Sequence, residues 1–344
     1  MSAYIALGEM MLRLKAPGHE RLLQSPSLEA SFGGSEANVA ISLAYFGCQT
    51  SFVTALPTDN LLSDAVIAEL RKFGVDTRHI VRQGSRIGTY YMENGANQRP
   101  SIVMYDRAGS SMCDAKAADF NWHAIFKEAK WFHISGITPA LSASAAELTL
   151  AAVKQAQKQN VRVSCDLNYR SKLWKYGVSA SEVMQELMQY VNIAIAGHKE
   201  DCRQLLGATT QVSQSQGQLD IEGYKALSDE VLTAYPKLDG LAVTLREHHS
   251  AHHNTWAACW RDKQGFAYSR QYNITDIVDR VGGGDSFTAA LIYALDTYSD
   301  RQQALEFAVA ASCLKHSIPG DFNRVTVAEV EQLIAGNGSG RIQR

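Results

Sequence analysis

The sequence predicts an α/β fold with a mainly parallel central sheet and helices on both faces. Two observations favour this class. From residue 130 onward, short apolar runs alternate with segments of helical periodicity, the pattern of right-handed βαβ units. Polar motifs directly follow several of these runs, at the strand ends where open parallel sheets bind ligands. The chain has 344 residues, a length that such a fold can occupy as a single domain.

Each element is predicted from its periodicity and from the residues that end it. The predicted strands are Tyr4–Gly8, Thr50–Leu56, Trp131–Ser135, Val161–Asp166, Val191–Ala196, Leu241–Leu245, Thr255–Trp260 and Gly265–Arg270. The predicted helices are 35–46, Leu62–Phe73, Ser142–Gln159, Ser179–Tyr190, Lys199–Leu206, Tyr224–Tyr235, Ser286–Leu295, Gln302–His316 and Val327–Ile334. A polar run at 209–218 indicates a surface loop, and residues 336–344 indicate a flexible tail.

A pair of glycines, Gly33 and Gly34, leads into the first of these helices. Ser35 is a favoured N-cap residue, and Gly47 supplies a stop at the other end. We therefore expect Ser35 to cap this helix, at a glycine-rich entrance.

Residues 87–107 differ in character from the rest of the chain. Two arms, Ile87–Glu93 and Ser101–Arg107, flank a turn rich in Asn, Gly and Pro, which predicts a β-hairpin. Aromatic and charged residues lie on both arms. A flap over a site is therefore one interpretation, and an exposed edge hairpin is the other.

The stretch from Val278 to Phe287 is the strongest candidate for chemistry. Three glycines, Gly282 to Gly284, precede Asp285 and the start of a helix. Glycines let a backbone approach a phosphate, while the free N–H groups and the dipole of a helix N-terminus stabilise its charge. The alternative is a tight turn in which Asp285 is only an N-cap, although a cap needs at most one glycine.

Composition and motif searches exclude several classes of protein. The net charge is −2, and the 33 Lys and Arg residues are dispersed among 35 Asp and Glu, so we expect no nucleic-acid partner. The six cysteines are widely spaced, no apolar run reaches membrane-spanning length, and the N-terminus lacks a basic signal region, so we expect a cytoplasmic protein with no membrane partner. The nucleotide-binding motifs G-x-x-x-x-G-K-[ST] and G-x-G-x-x-G are absent, which argues against P-loop and Rossmann enzymes.

Two motifs at opposite ends of the chain resemble those of the ribokinase (PfkB) carbohydrate kinase family. Gly33-Gly34 with Asn38 resembles the family's N-terminal signature. Asp279-Arg280-Val281-Gly282-Gly283-Gly284-Asp285 resembles its C-terminal D-T-x-G-A-G-D, with Arg280 and Gly283 in place of the Thr and the Ala. The resemblance implies a ribokinase-like three-layer αβα sandwich with a small β lid formed by segments near 9–32 and 86–107.

Within this family, three segments resemble the 2-keto-3-deoxygluconate kinase subgroup: Asp166 to Trp174, Thr244 to Glu247, and Val278 to Phe287. The implied reaction is the phosphorylation of 2-keto-3-deoxygluconate at O6, with ATP and Mg²⁺. Two alternatives remain. One is the same chemistry on another sugar, such as fructose or 2-keto-3-deoxygalactonate, and the other is a non-catalytic sugar or nucleotide sensor.

By this resemblance, Asp285 is the base that accepts a proton from the sugar hydroxyl. The amides of Gly282, Gly283 and Gly284 would form an anion hole for the transferring phosphoryl group, because this chemistry depends on alignment and charge stabilisation. A helix N-terminus stabilises a carboxylate anion, which by itself predicts that Asp285 is a weak base.

The resemblance also implies the residues that contact the sugar acid. These are Gly34, Tyr90, Tyr105, Arg107, Arg170 and Asp321. An Arg suits an anionic substrate because its guanidinium pairs with a carboxylate in fixed geometry. From the residues alone, hairpin packing remains the alternative for the tyrosines, and surface ion pairs remain the alternative for the arginines.

The implied nucleotide contacts are Asn168, Gly197, Thr244, Arg246, Gly282 and Gly284. Glu200 resembles the acid of the family's N-x-x-E motif, which acts on Mg²⁺ through water, and Gly197 replaces the Asn of that motif. The nearby His248, His249, His252 and His253 suggest a metal site, but they lack a carboxylate or Cys at ligand spacing, which favours a polar loop between strands.

We also expect a homo-oligomer, a dimer or higher, with 87–107 as a lid, a dimer clasp or both.

Overall fold

The computed structural model describes residues 3–212 and 220–338. Most of the expected surface loop at 209–218 and of the expected tail at 336–344 lies outside the described residues. The strands are β1 (Tyr4–Leu7), β2 (Met11–Lys15), β3 (Glu29–Gly33), β4 (Thr50–Leu56), β5 (Ile80–Arg82), β6 (Thr89–Glu93), β7 (Ile102–Asp106), β8 (Trp131–Ser135), β9 (Arg162–Asp166), β10 (Ile193–Ala196), β11 (Gly240–His248), β12 (Asn254–Asp262), β13 (Gly265–Tyr268) and β14 (Tyr272–Ile274).

Eleven α-helices accompany these strands in the described part of the chain. They are α1 (Ser35–Tyr45), α2 (Leu61–Lys72), α3 (Ser111–Asp114), α4 (Trp122–Phe126), α5 (Ala143–Lys158), α6 (Ala180–Met188), α7 (Lys199–Leu206), α8 (Ile221–Ala234), α9 (Gly283–Thr297), α10 (Arg301–Lys315) and α11 (Val327–Ile334). No helix in the two described ranges is long and apolar enough to cross a membrane.

A ten-stranded sheet forms the centre of the fold, in the order β13-β12-β11-β10-β9-β8-β1-β4-β5, with β14 paired to β12. In this order, the seven neighbouring strands from β11 through β5 are parallel to one another. β12 is antiparallel to β11, and β13 and β14 are antiparallel to β12. The predicted α/β class with a mainly parallel sheet is confirmed. Because the parallel strands share one direction, their carboxyl ends meet at the same edge of the sheet.

Helices cover both faces of this sheet. Ile5 and Leu7 of β1 pack into a core cluster with residues of α3 to α8, on one face. Tyr4 packs with α1 and α9 to α11, and Ala6 packs with α1 and α2, on the other face. This alternation of side chains along β1 is what a strand buried on both faces requires. The predicted three-layer sandwich is confirmed.

A separate four-stranded sheet has the order β3-β2-β6-β7. The predicted hairpin forms β6 and β7, whose register places Tyr90 opposite Tyr105. β2 is parallel to β6 and antiparallel to β3, so the segment after β1 joins the hairpin in one small sheet. Periodicity did not reveal the very short elements β5, β14, α3 and α4, because three to five residues are too few for a repeat to show.

Candidate active site

A cavity of about 430 Å³ lies at the carboxyl edge of the central sheet, beneath the small sheet. Strand ends, the first turns of α1 and α9, and the inner face of the hairpin all contribute to its walls. The predicted site residues that line it are Gly34, Tyr90, Tyr105, Arg107, Asn168, Arg170, Gly197, Thr244, Arg246, Gly282, Gly284, Asp285 and Asp321. The cavity therefore unites residues from both ends of the chain.

The glycine turn forms the N-terminus of α9, with Gly282 as the N-cap in the left-handed region at φ 78°. A Cβ at Gly282 would collide with the backbone carbonyl of Asp321, so this position requires glycine. Gly283 is buried behind the turn, where a Cβ would lie 2.8 Å from Cε1 of His316, and it does not line the cavity. Asp285 lies in the first turn of α9 and not at its N-cap, which excludes the simple capping role.

Two side chains of α1 hold the Asp285 carboxylate. The Ser35 hydroxyl donates to Oδ1 at 2.8 Å, and the Asn38 amide donates to Oδ2 at 2.6 Å. The expected N-cap role of Ser35 is wrong, because Gly34 occupies that position and Ser35 turns its hydroxyl to Asp285. Burial raises the pKa of Asp285, and the two donors only partly oppose this. The helix N-terminus alone predicted the opposite direction, a weaker base.

Asp166 is another carboxyl group that lines the cavity, and it is buried at the end of β9. Burial, and then the charges of Asp285 and Asp201, raise its pKa to about 8. The main-chain N–H of Asn168 donates to Oδ1 at 3.1 Å, and the Thr288 hydroxyl lies 3.4 Å from Oδ2. Asp166 begins a motif recognisable in the sequence, but no role for this residue was predicted. Its place directly after a buried strand was the available signal.

The small sheet supplies the wall opposite the glycine turn. Tyr90 is buried, and its hydroxyl donates to Oδ2 of Asp321 at 2.6 Å. The centres of the Tyr90 and Tyr105 rings are 5.9 Å apart, and Tyr105 is 46% exposed. Arg107 is buried against Glu9, with its Nε 2.7 Å from Oε2 of that carboxylate. The tyrosines thus both pack as a cross-strand pair and line the cavity. Arg107 makes a buried ion pair, not the surface pair considered as the alternative.

Arg13 connects the small sheet to the glycine turn. Its guanidinium is buried between Asp321, with which it makes an ion pair, and Asp279, whose Oδ2 is 2.7 Å from Nη2. Asp279 in turn accepts from the amides of Val281 and Gly320, at 3.1 and 3.0 Å. A buried charge needs such compensation. No local sequence signal marks Arg13 as a site residue, since its partners lie more than 260 positions away.

Three arginines line the cavity: Arg170, Arg246 and Arg280. The Arg246 guanidinium lies 4.2 Å from the centre of the Trp256 ring. Burial lowers its pKa to about 9, and the charges of Arg280 and Arg170 act in the same direction. Such clustering of like charges is unfavourable unless an anion offsets it, which indicates a site for a polyanion.

The remaining predicted nucleotide residues lie at neighbouring strand ends. The Thr244 hydroxyl donates to the carbonyl of Gly197 at 2.9 Å, fixing the β10 and β11 ends together. The Asn168 amide donates to the Ser35 hydroxyl at 3.2 Å, so it touches the same network as Asp285.

Glu200 does not line the cavity. It lies on α7 with its carboxylate 3.3 Å from Nη1 of Arg203, and the next residue, Asp201, lines the cavity instead. Burial raises the pKa of Asp201 to about 6. α7 buries Cys202, Leu205 and Leu206, and this packing sets the rotation of the helix that brings Asp201 inward.

The four histidines lie at the turn between β11 and β12. His248 pairs through Nδ1 with Asn254 at 3.1 Å, and His253 pairs through Nε2 with Asn273 at 2.6 Å. Nδ1 of His252 accepts from the main-chain N–H of Asn97, in the turn of the hairpin, at 3.3 Å. Polar partners at this turn thus account for three of the four rings.

Comparisons with known proteins identify the family of the chain. The profile described as pfkB family carbohydrate kinase matches residues 1–323. A 2-dehydro-3-deoxygalactonokinase of Haloferax volcanii is 32% identical over 340 residues, covering 98% of each chain. The structure of a 2-dehydro-3-deoxygluconokinase from Thermotoga maritima is 44% identical, with a TM-score of 0.91, and covers 98% of this chain and 100% of that one.

A fructokinase from Xylella fastidiosa, solved with bound ATP, has a TM-score of 0.78 over 98% of this chain and 100% of its own, at 19% identity, and shares the fold. The resemblance inferred from the two terminal motifs is therefore confirmed. The chain belongs to the pfkB family of carbohydrate kinases and is itself a carbohydrate kinase.

Proposed function

We propose that this kinase transfers the γ-phosphoryl group of ATP to O6 of 2-keto-3-deoxygluconate, giving 2-keto-3-deoxy-6-phosphogluconate. The observation that carries the proposal is the position of Asp285. Its carboxylate lies at the glycine turn, inside a cavity bounded by three arginines on one side and a polar small sheet on the other. The similarity to the Thermotoga maritima enzyme, at 44% identity, supports this substrate.

Asp285 acts as the base in this account. Ser35 and Asn38 fix both carboxylate oxygens, so the sugar hydroxyl meets an acceptor whose direction is already set. The raised pKa of Asp285 strengthens it as a proton acceptor. Amides of the turn that starts α9 then offer N–H donors to the charge that develops on the phosphoryl oxygens. Gly282 and Gly284 face the cavity, whereas Gly283 supports the turn from behind.

ATP is the phosphoryl donor in this proposal, and Arg246 and Arg280 bind its phosphates. The likeness to a fructokinase solved with ATP supports the nucleotide. Mg²⁺ also fits the site, because Asp166 and Asp201 place oxygen donors of the kind it prefers at the same cavity. When bound, Mg²⁺ neutralises phosphate charge. Glu200, given its contact with Arg203, acts on the metal only through water, if its side chain reorients.

A sugar acid fits the charge pattern better than a neutral sugar. Arg170 lines the cavity, is exposed, and makes no ion pair within 4 Å among the described residues. It is thus free to pair with a substrate carboxylate. Gly34, Tyr90, Tyr105, Arg107 and Asp321 complete the sugar site.

The second candidate substrate is 2-keto-3-deoxygalactonate, which the Haloferax volcanii relative favours. Coupled ADP-release assays with both sugar acids and with fructose test the proposal. We expect the highest kcat/KM for 2-keto-3-deoxygluconate. A preference for the galactonate epimer would reassign the substrate, and equal turnover of fructose would remove the role given to Arg170.

We further propose that the enzyme is a cytoplasmic homo-oligomer, a dimer or higher. The edge strand β7 exposes Ile102, Val103, Met104 and Tyr105, at 39 to 54% each. A row of exposed apolar side chains on a sheet edge favours pairing with another copy. Light scattering of the wild type and of Met104→Lys tests this: a monomeric wild type would contradict it. A cytoplasmic location fits the six free cysteines.

A further inference from the structure

Glu9 lies in the connection between β1 and β2, where the chain leaves the carboxyl edge of the central sheet and enters the small sheet. It lines the cavity, and only 4% of it is exposed. A carboxylate removed from water is costly unless a charge partner and hydrogen bonds compensate it. The hydrogen-bond partners of the two carboxylate oxygens of Glu9 are therefore informative.

Only one of the two carboxylate oxygens of Glu9 is compensated. Oε2 accepts from Nε of Arg107 at 2.7 Å and makes an ion pair with Nη2 of the same guanidinium. Oε1 is buried and has no hydrogen-bond partner among the described residues. Buried acceptors in folded proteins are almost always satisfied by protein, ordered water or ligand. Because Glu9 lines the cavity, a hydroxyl of the bound substrate is a partner available to this oxygen.

The surrounding backbone holds this oxygen in place. A Cβ at Gly88 would lie 2.6 Å from Oε1, so the absence of a side chain at residue 88 makes room for the carboxylate. A Cβ at Gly34 would collide with the main-chain carbonyl of Glu9, so α1 also starts close against this residue. Both glycines limit the movement of Glu9, and Arg107 fixes its side chain.

We propose that Oε1 of Glu9 accepts a hydrogen bond from a secondary hydroxyl of the substrate, at C4 or C5. This inference rests on the proposed sugar-acid kinase function. The carboxylate and keto groups of the substrate have no proton to donate, and the C6 hydroxyl is committed to Asp285. In the open-chain substrate, the secondary hydroxyls are the donors left for Glu9. Glu9 thus repels the acid end of the substrate, which Arg170 attracts, and the two residues fix its direction. Arg107 is a positioning residue for Glu9.

The test compares the substrate with its 4-deoxy and 5-deoxy analogues, using kcat/KM. For the wild type, we expect kcat/KM to be roughly 10- to 150-fold lower with one of the two analogues than with the substrate, the range for a hydrogen bond to a charged group. Glu9→Met removes the acceptor at similar length and should show almost no loss with that analogue. Glu9→Gln keeps a neutral acceptor and should fall between the two. A purely structural role would lower all rates without this gradient.

Glu93→Gln is the matched control, since Glu93 is also a buried carboxylate of the small sheet, held by Arg21 and Arg99, but outside the cavity lining. It should keep the wild-type discrimination. The inference is overturned if the ratio of kcat/KM for the substrate to that for the analogue is the same in Glu9→Met as in the wild type. If Glu9→Met fails to fold, the same comparison is made with Glu9→Gln. A wild type that loses nothing with either analogue also overturns the inference. If the wild type phosphorylates only a different sugar, the proposed function fails, and deoxy analogues of that sugar decide the role of Glu9 in the same way.

Discussion

The amide of Asn38 donates a 2.6 Å hydrogen bond to Oδ2 of Asp285, 247 positions later in the chain. This contact joins the two glycine-rich helix entrances, at α1 and at α9, into one site. It also orients the carboxylate without neutralising it, because an amide donor favours the charged form.

Replacing Asn38 with Ala should lower kcat by roughly 10- to 150-fold, the range for one hydrogen bond to a charged group. The hydrogen bond from Asn38 lowers the pKa of Asp285 against the larger effect of burial, so its loss should raise that pKa further. A higher pH would then be needed to ionise Asp285, so the acid limb of the pH profile of kcat/KM should move to higher pH. Asn60→Ala, which removes only the N-cap of α2, should leave this limb in place.

The pH dependence of stability should report Asp166, whose pKa in the folded protein is about 8. An unfolded Asp titrates near 3.9, so between these values the folded state holds one more proton and stability falls as pH rises, by at most about 1.4 kcal/mol per pH unit. His133 and His316 have pKa values lowered to about 3 and about 4, and they act in the opposite direction below pH 6.5. Urea unfolding should therefore be measured between pH 6.5 and 8. Asp166→Asn should flatten the slope there, and an unchanged slope would refute the assignment.

Gly282→Ala should abolish most activity. The new Cβ meets the Asp321 carbonyl and also strains a residue at φ 78°, so the turn must shift and misplace its amides. Loss of one such donor lowers kcat by roughly 10² to 10³-fold. Gly74→Ala is the control, because Gly74 has the same φ of 78° with nothing within 4 Å of the new Cβ. It should cost about 1 kcal/mol of unfolding free energy from strain alone and leave kcat intact. Equal activity of the two variants would contradict the close approach at Gly282.

Tyr90→Phe should raise KM for the sugar acid by roughly 3- to 10-fold with little change in kcat, because it removes one hydrogen bond at Asp321. Tyr91→Phe changes the next residue on β6, which does not line the cavity, and should behave as the wild type. If both variants behave as the wild type, Tyr90 contributes only cross-strand packing.

Much of the fold could be predicted from the sequence, because strand runs, helical periodicity and glycine stops are local signals. The glycine turn is one example: three glycines before a helical repeat already predicted an anion site. Asn38 could be recognised only as part of a motif, and no local signal indicates Arg13, because the roles of both residues depend on partners hundreds of positions away.

Glu200 shows a different limit. Glu200 lies at the position of the acid in the N-x-x-E motif. The packing of Cys202 and Leu205, however, decides which side of α7 faces the cavity, and that side carries Asp201. The pKa of Asp285 was likewise beyond local reasoning. The helix N-terminus was visible in the sequence, whereas the burial that reverses its effect depends on the assembled cavity.

The most direct test of the account is Asp285→Asn, measured by kcat in the ADP-release assay and by calorimetric titration with the sugar acid. The amide keeps the size of the side chain but cannot accept the proton. We predict that kcat falls on the order of 10² to 10⁴-fold, the usual contribution of a general base, while sugar-acid affinity stays close to that of the wild type. Near-wild-type kcat in a folded Asp285→Asn protein would contradict the central claim.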